Sequence, residues 1–137
     1  MTRAHHRATT NVLVVQLDEG GPLNFGGHRV LVVTPAVNSR LRRWVSDDDD
    51  ARRTAEARLA KYLEALERVG VHASGRIGDG DVVQAIADAL STFPADEIVI
   101  AARDERSRLL ARDVARRARR QFRPPVVQAA ESLRIAA

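Results

Sequence analysis

The chain has 137 residues, enough for one domain with a sizeable core, and at 45% hydrophobic it is not a disordered composition. It holds no cysteine, which excludes disulfides and thiolate–zinc chemistry, and no uninterrupted apolar stretch is long enough to span a bilayer. The net charge of +4 is unevenly spread: nine arginines face three acidic residues between 103 and 123, whereas 1–102 carries twelve basic and fourteen acidic groups.

Residues 1–11 are polar and read as a flexible amino-terminal segment. Their basic start is followed only by the short run Val12–Val15, too little for the core of a signal peptide, so a cytoplasmic location is expected. Val12, Leu13, Val14 and Val15 form a continuous apolar run bounded by polar residues, the pattern of a strand buried on both faces. Two glycine pairs and Pro22 within 16–28 predict a loop where a helix would be expected. Val30–Val33 is a second buried strand, stopped by Pro35.

A long helix is predicted next, capped by Ser46, with Asp47–Asp50 in its first turn, where carboxylates complement the helix dipole. Adjacent helical carboxylates point about 100° apart, so this run caps a helix and does not converge on a metal ion. Ala51, Ala55, Leu59, Tyr62, Leu66 and Val69 form its apolar stripe, and Gly70 ends it. Alternation from Val71 to Ile77 predicts a half-exposed edge strand. Gly78, Asp79 and Gly80 turn the chain, Asp81 caps, and Val82, Val83, Ile86, Leu90 and Phe93 line a second helix. A strand at 97–101, a basic helix over 106–123 and a strand at 125–129 complete a domain spanning 12–130, with 131–137 as a tail. Buried strands alternating with helices predict a parallel sheet with right-handed crossovers. Five strands but only three helices leave the first crossover without a helix.

This pattern resembles the universal stress protein family. The residues that carry the resemblance are Val30–Val33 with the long helix after it, the run GRIGDGDVVQAI over 75–86, Phe93 to Ile100, and the closing strand from Pro125. The likeness covers about residues 29–130. It implies an α/β, Rossmann-like, doubly wound five-stranded parallel sheet in the order 3-2-1-4-5, here with the first crossover helix replaced by a Gly-rich loop. ATP-binding members place an Asp at the end of the first strand and a G-x-x-G, nine residues, G-[ST] loop after the fourth. Here the first strand ends at Gln16 and Leu17, with Asp18 two residues late, and no glycine stands between Ala101 and Pro124. Backbone cradling of a phosphate relies on such glycines. The resemblance therefore implies the branch that does not bind ATP, and no cofactor is expected.

The sharpest functional signal is the basic helix, where Arg112, Arg116, Arg119 and Arg123 fall within roughly a 60° sector opposite Leu110, Val114, Ala118 and Phe122. Such a ridge can contact several phosphates of a nucleic acid or other polyanion, or be only a solvated outer face; no aromatic residues interleave for base stacking. The glycine-flanked turn at 78–81 opens a helix, but its two acids oppose an anion. His5, His6, His28 and His72 share no ligand spacing, and no serine stands in a nucleophile-elbow context, so catalysis is not expected. The leading expectation is a non-catalytic stress-protein-like domain acting by protein association. Polyanion binding through 106–123 and divergent nucleotide binding are the alternatives. In the family arrangement the missing first crossover helix is expected to share a face with the last helix. The loop 16–28 offers only Leu17, Leu23 and Phe25 as cover, so a homodimer burying that face is expected.

Overall fold

A computed structural model describes residues 10–37 and 48–129, with Asp48 defined in its backbone only. Residues 1–9 of the expected amino-terminal segment, the Ser46 cap with Asp47, and the tail 131–137 lie outside the described residues, as do His5 and His6. The element order is β1 (Asn11–Gln16), β2 (Arg29–Pro35), α1 (Asp48–Arg68), β3 (Ala73–Gly78), α2 (Val82–Leu90), β4 (Glu97–Ala101), α3 (Glu105–Gln121) and β5 (Val126–Gln128). The five strands form one sheet in the order β3-β2-β1-β4-β5, every neighbouring pair parallel. This is the doubly wound, Rossmann-like sheet, and no helix joins β1 to β2.

The central strands are apolar on both sides because both sides are covered. Leu13, Val15, Leu31, Val33, Ile98 and Ile100 meet Val82, Val83 and Ile86 of α2 and Ala111, Val114, Ala115 and Ala118 of α3. On the opposite face Val12, Val14, Val30, Val32 and Val99 pack with Leu59, Tyr62 and Leu66 of α1, and with Phe25. Right-handed crossovers impose this division. Stepping outward from β1 to β2 to β3 puts both connections on one face, and the return past β1 to β4 and β5 puts the next two on the other. The expectation that the missing helix shares a face with α3 is thereby corrected: the segment after β1 packs on the face of α1.

That correction changes what covers the sheet. Phe25 is 0% exposed and lies in the core of its own chain, not at a protein surface. Leu17 packs against the α2/α3 side. Only Leu23, at 38% exposure, remains outward among the three residues expected at an interface. One aromatic side chain and the broad ring of Tyr62 thus fill the place of a crossover helix. Gly26 and Gly27, both at positive φ, turn the chain immediately after Phe25 so that β2 can begin at Arg29, and the His28 N–H donates to the Phe25 carbonyl at 3.0 Å.

Smaller departures sit at element ends. Val69 follows the end of α1 and is 54% exposed instead of completing the stripe. Gly70 at φ 82° ends the helix as expected, with the Val71 N–H donating to the Leu66 carbonyl. β3 lies at the sheet edge. The Asp81 carboxylate accepts from the N–H groups of Val83 and Gln84, so this helix start is occupied by its own cap.

Candidate functional site at the reversal of strand order

In open parallel sheets ligands enter the crevice at the carboxyl ends of the two strands from which the chain winds in opposite directions. Here those strands are β1 and β4, which end at Gln16 and Ala101 in register. The loop leaving β1 is held firmly. The Thr34 hydroxyl donates to the buried Gln16 Oε1 at 2.7 Å, which turns the Gln16 amide towards the loop. The Tyr62 hydroxyl donates to the Pro22 carbonyl at 2.6 Å, and Arg58 of α1 pairs with Glu19 at 2.9 Å. Burial pushes the Tyr62 hydroxyl far above its ordinary pKa, so it stays a neutral donor.

Gly21 lies flat against that ring: a Cβ there would stand 2.7 Å from Tyr62 Cζ and 2.8 Å from its hydroxyl oxygen. Because the ring is buried and hydrogen-bonded, it has no cheap way to yield. Gly21→Ala is expected to destabilise the fold by roughly 1–3 kcal/mol, the range for overpacking, read as a fall in the urea midpoint with unchanged slope.

Asp18 is the residue that organises the crevice. It is 4% exposed, and its carboxylate receives the Arg103 N–H at 2.9 and 2.8 Å on its two oxygens and the Asp104 N–H at 2.9 Å. These are the backbone donors that follow β4 and open α3, the groups that would face a bound anion in a sheet of this winding. A carboxylate of the chain itself takes the place of that anion. With a fixed internal acceptor this loop needs no glycine, and its backbone adopts no positive φ between 101 and 123.

Next to it, Asp104 caps α3 by accepting the Ser107 N–H at 3.0 Å, and this backbone bond is the main cause holding its carboxyl below the ordinary 3.8. A depressed folded-state pKa contributes stability that is fully present above the unfolded value and is lost as pH falls through the folded one. The stability gap between the wild type and Asp104→Ala should therefore be constant at neutral pH and shrink in acid below 3.8. Urea titrations across that range check this; a gap that stayed constant throughout would assign the effect to something other than the ionised cap.

A crevice of about 340 Å³ opens between the two loops, lined by Asp18, Glu19, Gly20, Gly21, Pro22, Ala101, Ala102, Arg103, Arg108 and Ala129. Gly20, at φ 71°, leaves room for the Arg103 guanidinium, whose Nη2 would stand 3.3 Å from a Cβ at that position.

The arginine ridge is less uniform than its spacing predicts. α3 ends at Gln121, so Arg123 lies beyond the helix, and Phe122 is extended and partly packed on the core. The Arg119 guanidinium donates to the Val126 carbonyl at 2.8 Å, which ties α3 to edge strand β5. Arg116 and Arg117 share Asp113, at 3.1 and 3.6 Å. Arg112 is exposed. The four arginines therefore form no single free surface.

His72 is exposed, and His28 Nδ1 accepts the Thr10 N–H at 3.2 Å at the opposite end of the sheet from the crevice. Among the described residues no cluster of His, Asp and Glu is arranged to hold a metal ion, and no helix is long and apolar enough to cross a membrane. No protein-family model matches the chain, and no curated protein matches it at a significant level.

Sequence reasoning passed over Asp18 because it is displaced from the end of the strand. The available signal was a lone acid following an apolar strand, in a protein whose later loop lacks glycine. The two observations explain one another only when the loops are seen side by side.

Proposed function

We propose that this chain is a non-catalytic, stress-protein-like cytoplasmic domain that works by protein association and without ATP. One observation carries the ATP-independent part: the Asp18 carboxylate engages the Arg103 and Asp104 N–H groups, which a nucleotide phosphate would otherwise need. A phosphate entering there would have to displace a buried, hydrogen-bonded carboxylate of its own sign. This argues against divergent nucleotide binding. Calorimetric titration with magnesium ATP is expected to give no heat of binding, and a dissociation constant in the low micromolar range would overturn the reading.

The surface this reading offers to a partner is the rim formed by Leu23 and Val69. Both are exposed, and both line a cavity of about 380 Å³ on the face that lacks its crossover helix. A homodimer is the simplest such association, although Phe25 removes the need for one to close the core. Light scattering of the wild type and of Leu23→Ser tests it: a dimer mass lost in the variant is expected, and a wild-type monomer at high concentration removes the homodimer. Polyanion binding through Arg112, Arg116, Arg119 and Arg123 is the weaker reading, since Asp113 and the Val126 carbonyl already engage two of the four.

A further inference from the structure

The two carboxylates in the wall of the β1/β4 crevice are both engaged elsewhere. Asp18 is saturated by backbone N–H groups, and Glu19 is paired with Arg58. The two guanidiniums in the same wall are not: among the described residues neither Arg103 nor Arg108 has a side-chain hydrogen bond or an ion pair. Further along α3, Arg116, Arg117 and Arg119 are each engaged, whereas Arg112 and Arg120 lie outside the crevice. The crevice thus presents two unpartnered guanidiniums over small apolar walls from Pro22, Ala101, Ala102 and Ala129.

We propose that this crevice binds a small organic acid with a single negative charge, its carboxylate held by Arg103 and Arg108 and its apolar body resting on the alanine and proline walls. Size and charge set the ligand class. About 340 Å³ lies at the lower end of small-molecule sites, which run from about 300 to 1,000 Å³. The four charged side chains in the wall sum to zero, so one carboxylate is accommodated against two forked donors. A polyphosphate would instead meet the repulsion of Asp18 and Glu19. Recognition is by side chains beside the filled backbone seat, so the proposal rests on the reading that Asp18 fills that seat.

The test uses the whole chain, labelled with nitrogen-15 and titrated with isobutyrate, inorganic phosphate and sodium chloride. Isobutyrate is expected to shift the amide signals of Gly20, Gly21, Ala102 and Arg103 saturably, beyond any effect of equal chloride. In the double variant Arg103→Gln, Arg108→Gln its affinity is expected to fall about tenfold or more, as for loss of a charge-assisted bond. Both arginines are exposed, so the remaining spectrum should be unchanged. Arg112→Gln, on the same helix outside the crevice, should bind as the wild type does. No saturable shift, or an undiminished one in the double variant, overturns the proposal. Tighter binding of phosphate than of isobutyrate overturns its ligand class. Tight ATP binding in the separate calorimetric titration would undo the filled-seat reading on which it rests.

Discussion

Phe25→Ala is expected to lower the unfolding free energy by about 3–5 kcal/mol, the range for truncating a buried aromatic residue. The side chain is 0% exposed and packs in the layer formed by Val12, Val14, Val30, Val32, Leu59, Tyr62 and Leu66. Elsewhere on this sheet a lost side chain would leave neighbours from a regular helix to close in. Here the cover is a glycine-rich loop pinned by the Tyr62–Pro22 hydrogen bond and by positive-φ turns at Gly26 and Gly27, so collapse into the void is restricted. Urea unfolding at two protein concentrations checks both the magnitude and its cause. If the midpoint falls by this amount and does not depend on concentration, Phe25 closes the sheet within one chain. A loss below about 1 kcal/mol would mean that the loop repacks, and that the face has other cover.

Asp18→Ala should cost about 2–4 kcal/mol. The substitution removes three charge-assisted contacts from two backbone N–H groups and leaves those donors at the mouth of α3 without their acceptor. The crevice admits water, which offsets part of the loss and keeps the figure below that of a sealed site. Formate supplies the missing group, and it should raise the melting temperature of Asp18→Ala by more than that of the wild type, where only Arg103 and Arg108 are free to hold a carboxylate, because a ligand that binds only the folded state stabilises it by mass action. Equal response of both proteins to formate would show that the N–H groups are not a vacated carboxylate seat. Asp18→Asn should fall between the two proteins: its amide oxygen can accept, but the charge is gone and its amino group faces two donors.

The two-sided burial of the sheet was legible because it is local and periodic, whereas the strand order was an expectation drawn from the resemblance alone. Val12–Val15 and Val30–Val33 carry no polar residue, so each must be covered twice, and the Gly70 and Asp81 signals mark the end of the first helix after them and the start of the second. The missing first helix was equally plain, since two glycine pairs and a proline leave too little helical propensity between Gln16 and His28. Which face that loop covers was misread, and the handedness of the crossovers, a property of the whole winding, decides it. Burial of Phe25 and outward placement of Leu23 also depend on tertiary structure, because in an irregular loop side-chain direction follows no period. The arginine spacing predicted a ridge, but Asp113 and the Val126 carbonyl, one on the same helix and one on a neighbouring strand, divide it. The same holds for the crevice. Asp18 and Arg103 are 85 residues apart, and no local pattern links a carboxylate after one strand to the backbone donors after another. The sequence by itself determined the alternation of buried strands with helices and the lack of a glycine-built phosphate loop; only folding, by bringing β1 beside β4, determined that the Asp18 carboxylate takes up the backbone donors that follow β4.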